Sequence, residues 1–471
     1  MSLIINNYLS LRKILYNMNY KHFSISKITE FLLFALLGVL FPGINLYGQD
    51  TMIKLNTFSV SGQFHVRGEF RDGVFRPLES GEKPAGLISD RIRFTLDYSY
   101  NNKLELKITP QSIGVWGQSP LVQGAENSGS QFSLFETWVK LSLNSNWNTQ
   151  IGRQVISLDD ERMFGALDWA QGGRAHDAIA FNFAKNKYEF RAFASYNQNY
   201  KALYGNNLSN PAGNLYSTQD ATPYKWMQTI WTKLPINEHN KVTLLVSNLG
   251  FQNAASKSDS TKTYFQQTMG ANYFYNNSKV NANISAYYQV NDNSIVTATS
   301  AYLLAGYLGY NVNNQWNIGL GADYVSGNKV GQTRTKNQSF NPYFGTNHKF
   351  YGAMDYYFAG NGHRGAGLSD NYLKIAYKMK PELGFSLAIH QFFSPNTIVN
   401  NTTEYNTNLG QEFDLGFSYK INKFASMTGG YSAYATTPSI NYLKNTPNGN
   451  DLQHWAWLSL NITPTFFETK Y

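Results

Sequence analysis

Cysteine is absent, so neither a disulfide scaffold nor a cysteine-ligated metal site is available to this chain. Long apolar runs are missing as well. A helical membrane bundle needs several stretches of about 20 apolar residues, whereas the mean hydropathy is −0.38. Charge is scarce, at 15% of residues, and no Lys/Arg block suits a nucleic acid. Residues 1–48 hold Arg12, Lys13, Lys21 and Lys27 against Glu30, so setting them aside lowers the net charge from +9 to about +6. Disorder is excluded by what is abundant: 42% of residues are hydrophobic, with 33 tyrosines and 31 phenylalanines. A length of 471 residues would ordinarily mean about three domains, but large barrels depart from that rule. Two classes remain, a soluble β-rich protein and a transmembrane β-barrel. Only the barrel requires aromatic residues in belts at two interfaces.

The strongest apolar run, Phe31 to Phe41, is too short to span a bilayer. Basic residues precede it, and Pro42, Gly43 and Leu46-Tyr47-Gly48 follow. This is the layout of a secretory signal peptide, with cleavage after Gly48 and a start at Met1 or Met18. A single N-terminal membrane anchor is the other reading. The expected organisation is a signal peptide over 1–48, a short segment over 49–57, and one barrel over 58–471. With strands beginning within about ten residues of that expected signal, an energised transporter with a plug domain is not expected.

From Phe58 onward the pattern has a period of two. Phe58, Val60, Phe64, Val66 and Phe70 alternate with Ser59, Gln63, His65, Arg67, Glu69 and Arg71. Ile92, Phe94, Leu96 and Tyr98 alternate with Arg91, Arg93, Thr95 and Asp97. The same alternation recurs to the C-terminus, as in Leu383-Phe385-Leu387-Ile389, and predicts about 18 strands. Connections sort by parity. Asn101-Asn102, Lys185-Asn186-Lys187 and Ile421-Asn422-Lys423 are short; Val155–Asp177, Gly327–Asp370 and Ala435–Asp451 are long. Short periplasmic turns and long extracellular loops are the layout of an antiparallel outer-membrane barrel. Closing about 18 strands leaves an aqueous lumen too wide for side chains to fill.

Two blocks then resemble the alginate export family of outer-membrane porins. One is Ile151-Gly152-Arg153-Gln154 with Asp159-Asp160-Glu161-Arg162, Gly165, Asp168-Trp169 and Gly172-Gly173-Arg174. The other runs from Phe340-Asn341-Pro342-Tyr343 through Asn347-His348-Lys349 to Met354-Asp355-Tyr356. The resemblance is to the broad family, from about residue 60 onward. It implies a monomeric 18-stranded barrel with a positively charged constriction that passes an anionic polysaccharide outward, with periplasmic export partners. Tyr471 is aromatic, as the ends of assembly signals usually are. Pro464 is expected to interrupt the final strand, because proline cannot donate to a ladder.

A polyanion path needs fixed positive charge in a narrow lumen. Arg67, Arg71, Arg91, Arg93, Lys107, Lys140 and Arg191 fall on the polar face of their strands, with Lys374 later. Arg153 and Arg174 come from the family-like block, although parity from Trp147-Thr149-Ile151 turns Arg153 outward unless a bulge intervenes. Glu69, Asp97 and Asp177 stand among these cations as acidic partners, with Glu105, Glu136 and Asp168. They make either a mixed ladder for a charged solute or a salt-bridge network that holds the wall. The segment around Asn347, His348, Lys349 and Asp355 is expected to be a constriction loop or a surface loop. Asp159-Asp160-Glu161 is either a solvated charge run or a site for a divalent cation. No metal-ligand spacing, nucleophile elbow or phosphate loop is present, and no cofactor is expected. The expected function is a passive channel for a polar or anionic small solute, or for an anionic polysaccharide or uronate oligomer, in a Gram-negative outer membrane. The alternatives are a lipase-like barrel with a Ser/His pair on its outer face, and a glycan-binding adhesion barrel.

Overall fold

Alternating segments become long antiparallel staves in the computed structural model, which describes residues 56–118, 131–197, 224–252, 263–291, 297–333, 335–357 and 363–470. The expected signal segment, the junction up to residue 55, and Tyr471 lie outside the described residues. The staves begin with β1 (Thr57–Asp72), β2 (Ala85–Tyr100), β3 (Leu104–Val115), β4 (Gln131–Ser142), β5 (Trp147–Gln154), β6 (His176–Lys185) and β7 (Tyr188–Tyr196). They continue with β8 (Trp226–Pro235), β9 (Asn240–Gln252), β10 (Thr263–Asn276), β11 (Val280–Asn291), β12 (Ser300–Asn311), β13 (Trp316–Val325), β14 (Leu368–Lys380) and β15 (Leu383–Phe393). A small loop hairpin, β16 (Ile398–Asn400) and β17 (Thr403–Tyr405), stands apart. The wall is completed by β18 (Asn408–Lys420), β19 (Ala425–Ala435), β20 (Leu452–Ile462) and β21 (Thr465–Lys470), and one short helix, α1 (Pro438–Lys444), lies between β19 and β20.

Each stave pairs with its neighbour in sequence, and the last pairs with β1, so the sheet closes. Strands β20 and β21 both pair with β1, on either side of Pro464, and count as one stave of eighteen. Pro464 does interrupt the ladder, as its missing N–H requires. The stave nevertheless resumes at Thr465 in the register it had at Ile462, with a one-residue shift only at Phe466, and the Pro464 carbonyl accepts the Gly62 N–H at 2.9 Å. Pro110 sits at a second such shift, between β3 and β4. The short turns carry their own chemistry. Asn101 and Asn102 have φ of 47° and 53°, and Asn186 and Lys187 have 50° and 72°, as a tight hairpin demands of its two central residues.

The two faces differ in kind. Outward positions are apolar and exposed, for example Ile284, Leu304, Leu308, Leu320 and Leu415. Tyr196, Trp226, Tyr288 and Tyr302 form an exposed aromatic belt toward the long loops, and Tyr188, Tyr310, Trp316 and Tyr419 form one beside the short turns. Tyr302 and Tyr310 lie eight residues apart on β12, which is ~20 Å of height for a strand rising ~3.3 Å per residue and tilted by ~40°. A lipid-facing band of about 25 Å between two girdles is the signature of a membrane barrel. Inward positions are polar, and closure leaves no unpaired edge for lipid to meet.

Candidate functional site

The lumen is crossed by two long loops. The first, residues 155–175, joins β5 to β6. Its apolar side chains Ile156, Leu158, Met163 and Phe164 are buried with residues of the wall. Asp159 accepts from the Trp231 indole of β8 at 2.9 Å and from Asn272 of β10 at 3.0 Å. Burial raises its carboxyl pKa, a shift that hydrogen bonds from Thr243 and Trp231 oppose. Arg162 reaches Asp160 at 2.9 Å and takes Asp323 of β13 in a two-pronged grip. Its guanidinium also lies 4.0 Å from the Phe350 ring centre. Burial alone would lower the Arg162 pKa, but the Asp323 carboxylate holds it well above the ordinary value. Glu161 accepts from Ser157 at 2.8 Å and lies 3.7 Å from Lys349. Asp159-Asp160-Glu161 is therefore neither a solvated run nor a cation site, because protein donors take each carboxylate. Among the described residues no group of three or more His, Asp or Glu side chains is placed to hold a metal.

The second loop, residues 326–367, joins β13 to β14, and its segment 340–356 meets the first. Gly165 N–H donates to the Phe344 carbonyl at 2.8 Å, Thr346 N–H donates to the Glu161 carbonyl at 2.9 Å, and the Phe164 and Phe344 rings pack 5.4 Å apart. Gly165 is needed here: a Cβ would lie 2.1 Å from the Thr346 hydroxyl. Arg174 donates to the Phe344 and Gly345 carbonyls, and burial pushes its pKa down to about 10. The two loops thus form one crossbar.

Arginines of β1 and β2 fasten it to the wall. Arg67 donates to the Trp169 carbonyl at 2.8 Å, and its guanidinium lies 4.0 Å from the Trp169 ring centre. His348 stacks on the same indole at 4.1 Å. Two groups that close cannot share a face, so Trp169 is sandwiched. Arg91 is 1% exposed; it pairs with Asp168 at 3.2 Å and points at the carbonyls of Asp168, Ala170 and Gln171. Arg93 binds Gln111 and Asp168 and covers the Phe135 ring at 3.5 Å. Glu69 joins Arg67, Arg71 and the Trp455 indole.

The residues expected to line a path therefore separate into three groups. Arg67, Glu69, Arg91 and Arg93 face inward but are buried as loop anchors, and Arg174 lies within the crossbar; this corrects their assignment as a surface for solute. Arg71 is part-exposed beside Glu69. Lower on the inward wall, toward the short turns, Lys107 pairs with Asp97 at 3.5 Å and Lys140 with Glu105 at 2.6 Å. Arg191 lies 3.6 Å from Glu189, which also pairs with Lys233. These four cations keep 23–41% of their side chains exposed. Arg153 and Asp177 pair at 3.1 Å on the outward face, in register with Ile151 and Ile179, each 42% exposed. No bulge turns them, so both leave the lumen set. In the expected constriction segment, Asn347–Lys349 is a single 3-10 turn, His348 binds the buried Asp355 at 2.9 Å, and Lys349 stays half-exposed.

Several inward groups had no distinguishing sequence signal: Asp323, Lys233, Glu189, and the carboxylates Asp370, Glu412 and Asp414. A relay was also missed. Ser459 Oγ lies 2.6 Å from His65 Nε2, and His65 Nδ1 lies 3.0 Å from Gln171. His65 and Ser459 both face inward and stand 394 positions apart in the chain, so no local pattern links them.

A family model described as Alginate export matches residues 57–436. No curated protein matches the chain by sequence. Among solved structures, OccAB1 of Acinetobacter baumannii is 13% identical with a TM-score of 0.57, over 87% of this chain and 97% of that one. OpdL of Pseudomonas aeruginosa is 13% identical with a TM-score of 0.58, over 87% and 99%. OccK5 (OpdH) of the same organism is 10% identical with a TM-score of 0.56, again over 87% and 99%. At these identities the likeness establishes the fold, a closed antiparallel barrel.

Proposed function

The chain belongs to the alginate export family, and from that premise we propose that its outer-membrane barrel is a passive channel for a polar or anionic solute, with uronate oligomers or an anionic polysaccharide as the favoured cargo. The observation that carries this reading is the part-exposed row Lys107, Lys140, Arg191 and Lys233 on β3, β4, β7 and β8. Fixed cations in a low-dielectric passage concentrate anions, and Arg grips a carboxylate with two donors while Lys acts as a point charge. The carboxylates of Asp97, Glu105 and Glu189 offset part of that field, which keeps binding weak enough for release. Aromatic faces stand beside the row: Lys107 lies 5.9 Å from the Trp138 ring centre and Arg191 lies 5.6 Å from that of Trp231. The channel acts as a monomer without a cofactor and takes its cargo from export partners in the periplasm.

Proteoliposome swelling tests this directly. Wild-type protein is expected to admit uronate dimers faster than neutral disaccharides of the same size. Lys107→Ala/Lys140→Ala/Arg191→Ala leaves Asp97 and Glu105 unpaired and Glu189 with Lys233 alone. The variant should lose about tenfold in uronate entry, which corresponds to ~1.4 kcal/mol, and keep its neutral-sugar rate. Equal losses for both solutes would remove the charge row from the mechanism.

A second reading, an acyl-transferring barrel, is favoured by the Ser459–His65–Gln171 relay, since a nucleophile, base and orienting group share this connectivity. Three features oppose it. Ser459 is 2% exposed, its hydroxyl also reaches the Val66 carbonyl at 3.1 Å, and Gln171 belongs to the crossbar, to which His65 is tied. We assign the relay to holding the loop. A fluorophosphonate probe should leave the folded protein unlabelled; labelling that disappears in Ser459→Ala would establish the enzyme reading instead.

A further inference from the structure

The crossbar rests on a carboxyl pair that is one donor short. Glu412 and Asp414 sit two apart on β18 with both side chains inward, which makes them neighbours on one face of the strand. Glu412 Oε1 accepts the Met354 N–H at 2.6 Å, and Asp414 Oδ2 accepts the Ala353 N–H at 3.4 Å. The remaining oxygens, Glu412 Oε2 and Asp414 Oδ1, are buried and have no donor among the described residues. Two buried acceptors side by side, both without a donor, are costly as a pair of anions. One proton between them satisfies both.

Among the described residues no other donor reaches these two atoms. From β15, His390 Nε2 lies 3.9 Å from the other oxygen of Asp414, while its Nδ1 is engaged by Asp370 of β14 at 2.9 Å. Lys374 of β14 lies within electrostatic reach of Asp414. Tyr434 of β19 donates to the Leu409 carbonyl, and Tyr356 of the loop donates to the Gly73 carbonyl. Tyr357 and Tyr434 share a bond of 2.8 Å. Asp355 adds a further buried acceptor, Oδ1, and its Oδ2 faces His348. Beyond Tyr356, Lys444 donates to the Tyr356 carbonyl, and burial lowers its pKa to about 7.

We infer that Glu412 and Asp414 share a proton, and that this proton latches the 345–356 segment across the lumen. The carboxyl of one residue donates to the carboxylate of the other, leaving a single negative charge and two free acceptors for the Met354 and Ala353 amides. Loss of the proton places two anions side by side against the loop backbone. The latch is therefore complete at low pH, where the shared proton is held, and released at high pH, where it is lost. Gly352 shows how closely the backbone lies on it, because a Cβ there would fall 2.2 Å from Glu412 Oε2.

The latch is read by hydrogen exchange at Met354 and Ala353, which does not depend on whether the barrel conducts. Corrected for the intrinsic pH dependence of exchange, protection of these amides in wild-type protein should fall about tenfold as pH rises from about 5 to about 9. Glu412→Gln puts a permanent N–H donor opposite Asp414 and should stay protected throughout. Glu412→Ala should be unprotected throughout, and Asp414→Asn checks the latch from the other residue, with the result expected of Glu412→Gln. Lys444→Met and His348→Gln should keep the wild-type pH response. A wild-type response in Glu412→Gln, or its loss in Lys444→Met or His348→Gln, would overturn the inference. Channel conductance following the same curve would tie the latch to the proposed transport, and absence of any conductance beside pH-dependent exchange would overturn the transport reading alone.

Discussion

Arg162→Ala is expected to raise single-channel conductance severalfold while the barrel still assembles. The guanidinium bridges Asp160 and Asp323 and lies against Phe350, so it ties the first loop to β13 and to the second loop at one point. Removing it leaves the Asp323 carboxylate buried without its counter-ion. Breaking a buried pair in this way costs about 3–5 kcal/mol, which exceeds what a single loop contact supplies. The ladder between staves is untouched, so the cost is relieved by the crossbar leaving the wall. Planar-bilayer recording gives the conductance, and heat-modifiable gel migration reports assembly. Adding Asp323→Asn removes the stranded charge and should recover part of the closed state, a coupling that the double-mutant cycle measures. Unchanged conductance in Arg162→Ala would show that the crossbar does not limit the passage.

Arg91→Ala is expected to produce the second-largest effect, and its character separates two roles for the buried arginines. If they served the solute, their removal would reduce anion preference at constant conductance. At 1% exposure, with Asp168 and three loop carbonyls around it, Arg91 instead fastens residues 168–171. Charge-assisted bonds of this kind contribute about 1.5–3 kcal/mol each. The variant should therefore conduct more, with frequent transitions between levels, and keep the wild-type reversal potential in a salt gradient. Arg67→Ala should act in the same direction, because it removes one side of the Trp169 sandwich.

Local pattern fixed much of this architecture in advance. The period of two placed Arg67, Arg91, Lys107 and Lys140 on the inner face, and the alternation of short and long connections placed the loops at one end. For Arg153 the local parity was the better guide than the family-like block, since Arg153 lies outward with Asp177. Which inward cations meet water was not legible, because Arg67 is covered by Trp169, about a hundred positions away in the chain. The crossbar depends on contacts of similar reach, such as Arg162 with Asp323. Glu412 and Asp414 looked like any other polar lumen positions, since only the fold brings the Met354 amide onto one and leaves both a donor short.

Membership of the family and the closed barrel argue for passage, and the part-exposed cation row argues for anions. A single recording examines both: purified wild-type protein in a planar bilayer under a potassium chloride gradient, before and after uronate oligomers are added to one side. Discrete conductance steps, a reversal potential displaced toward that of chloride, and reversible block by the oligomers are expected. Absence of steps, or a reversal potential on the potassium side with no block, would contradict the channel reading.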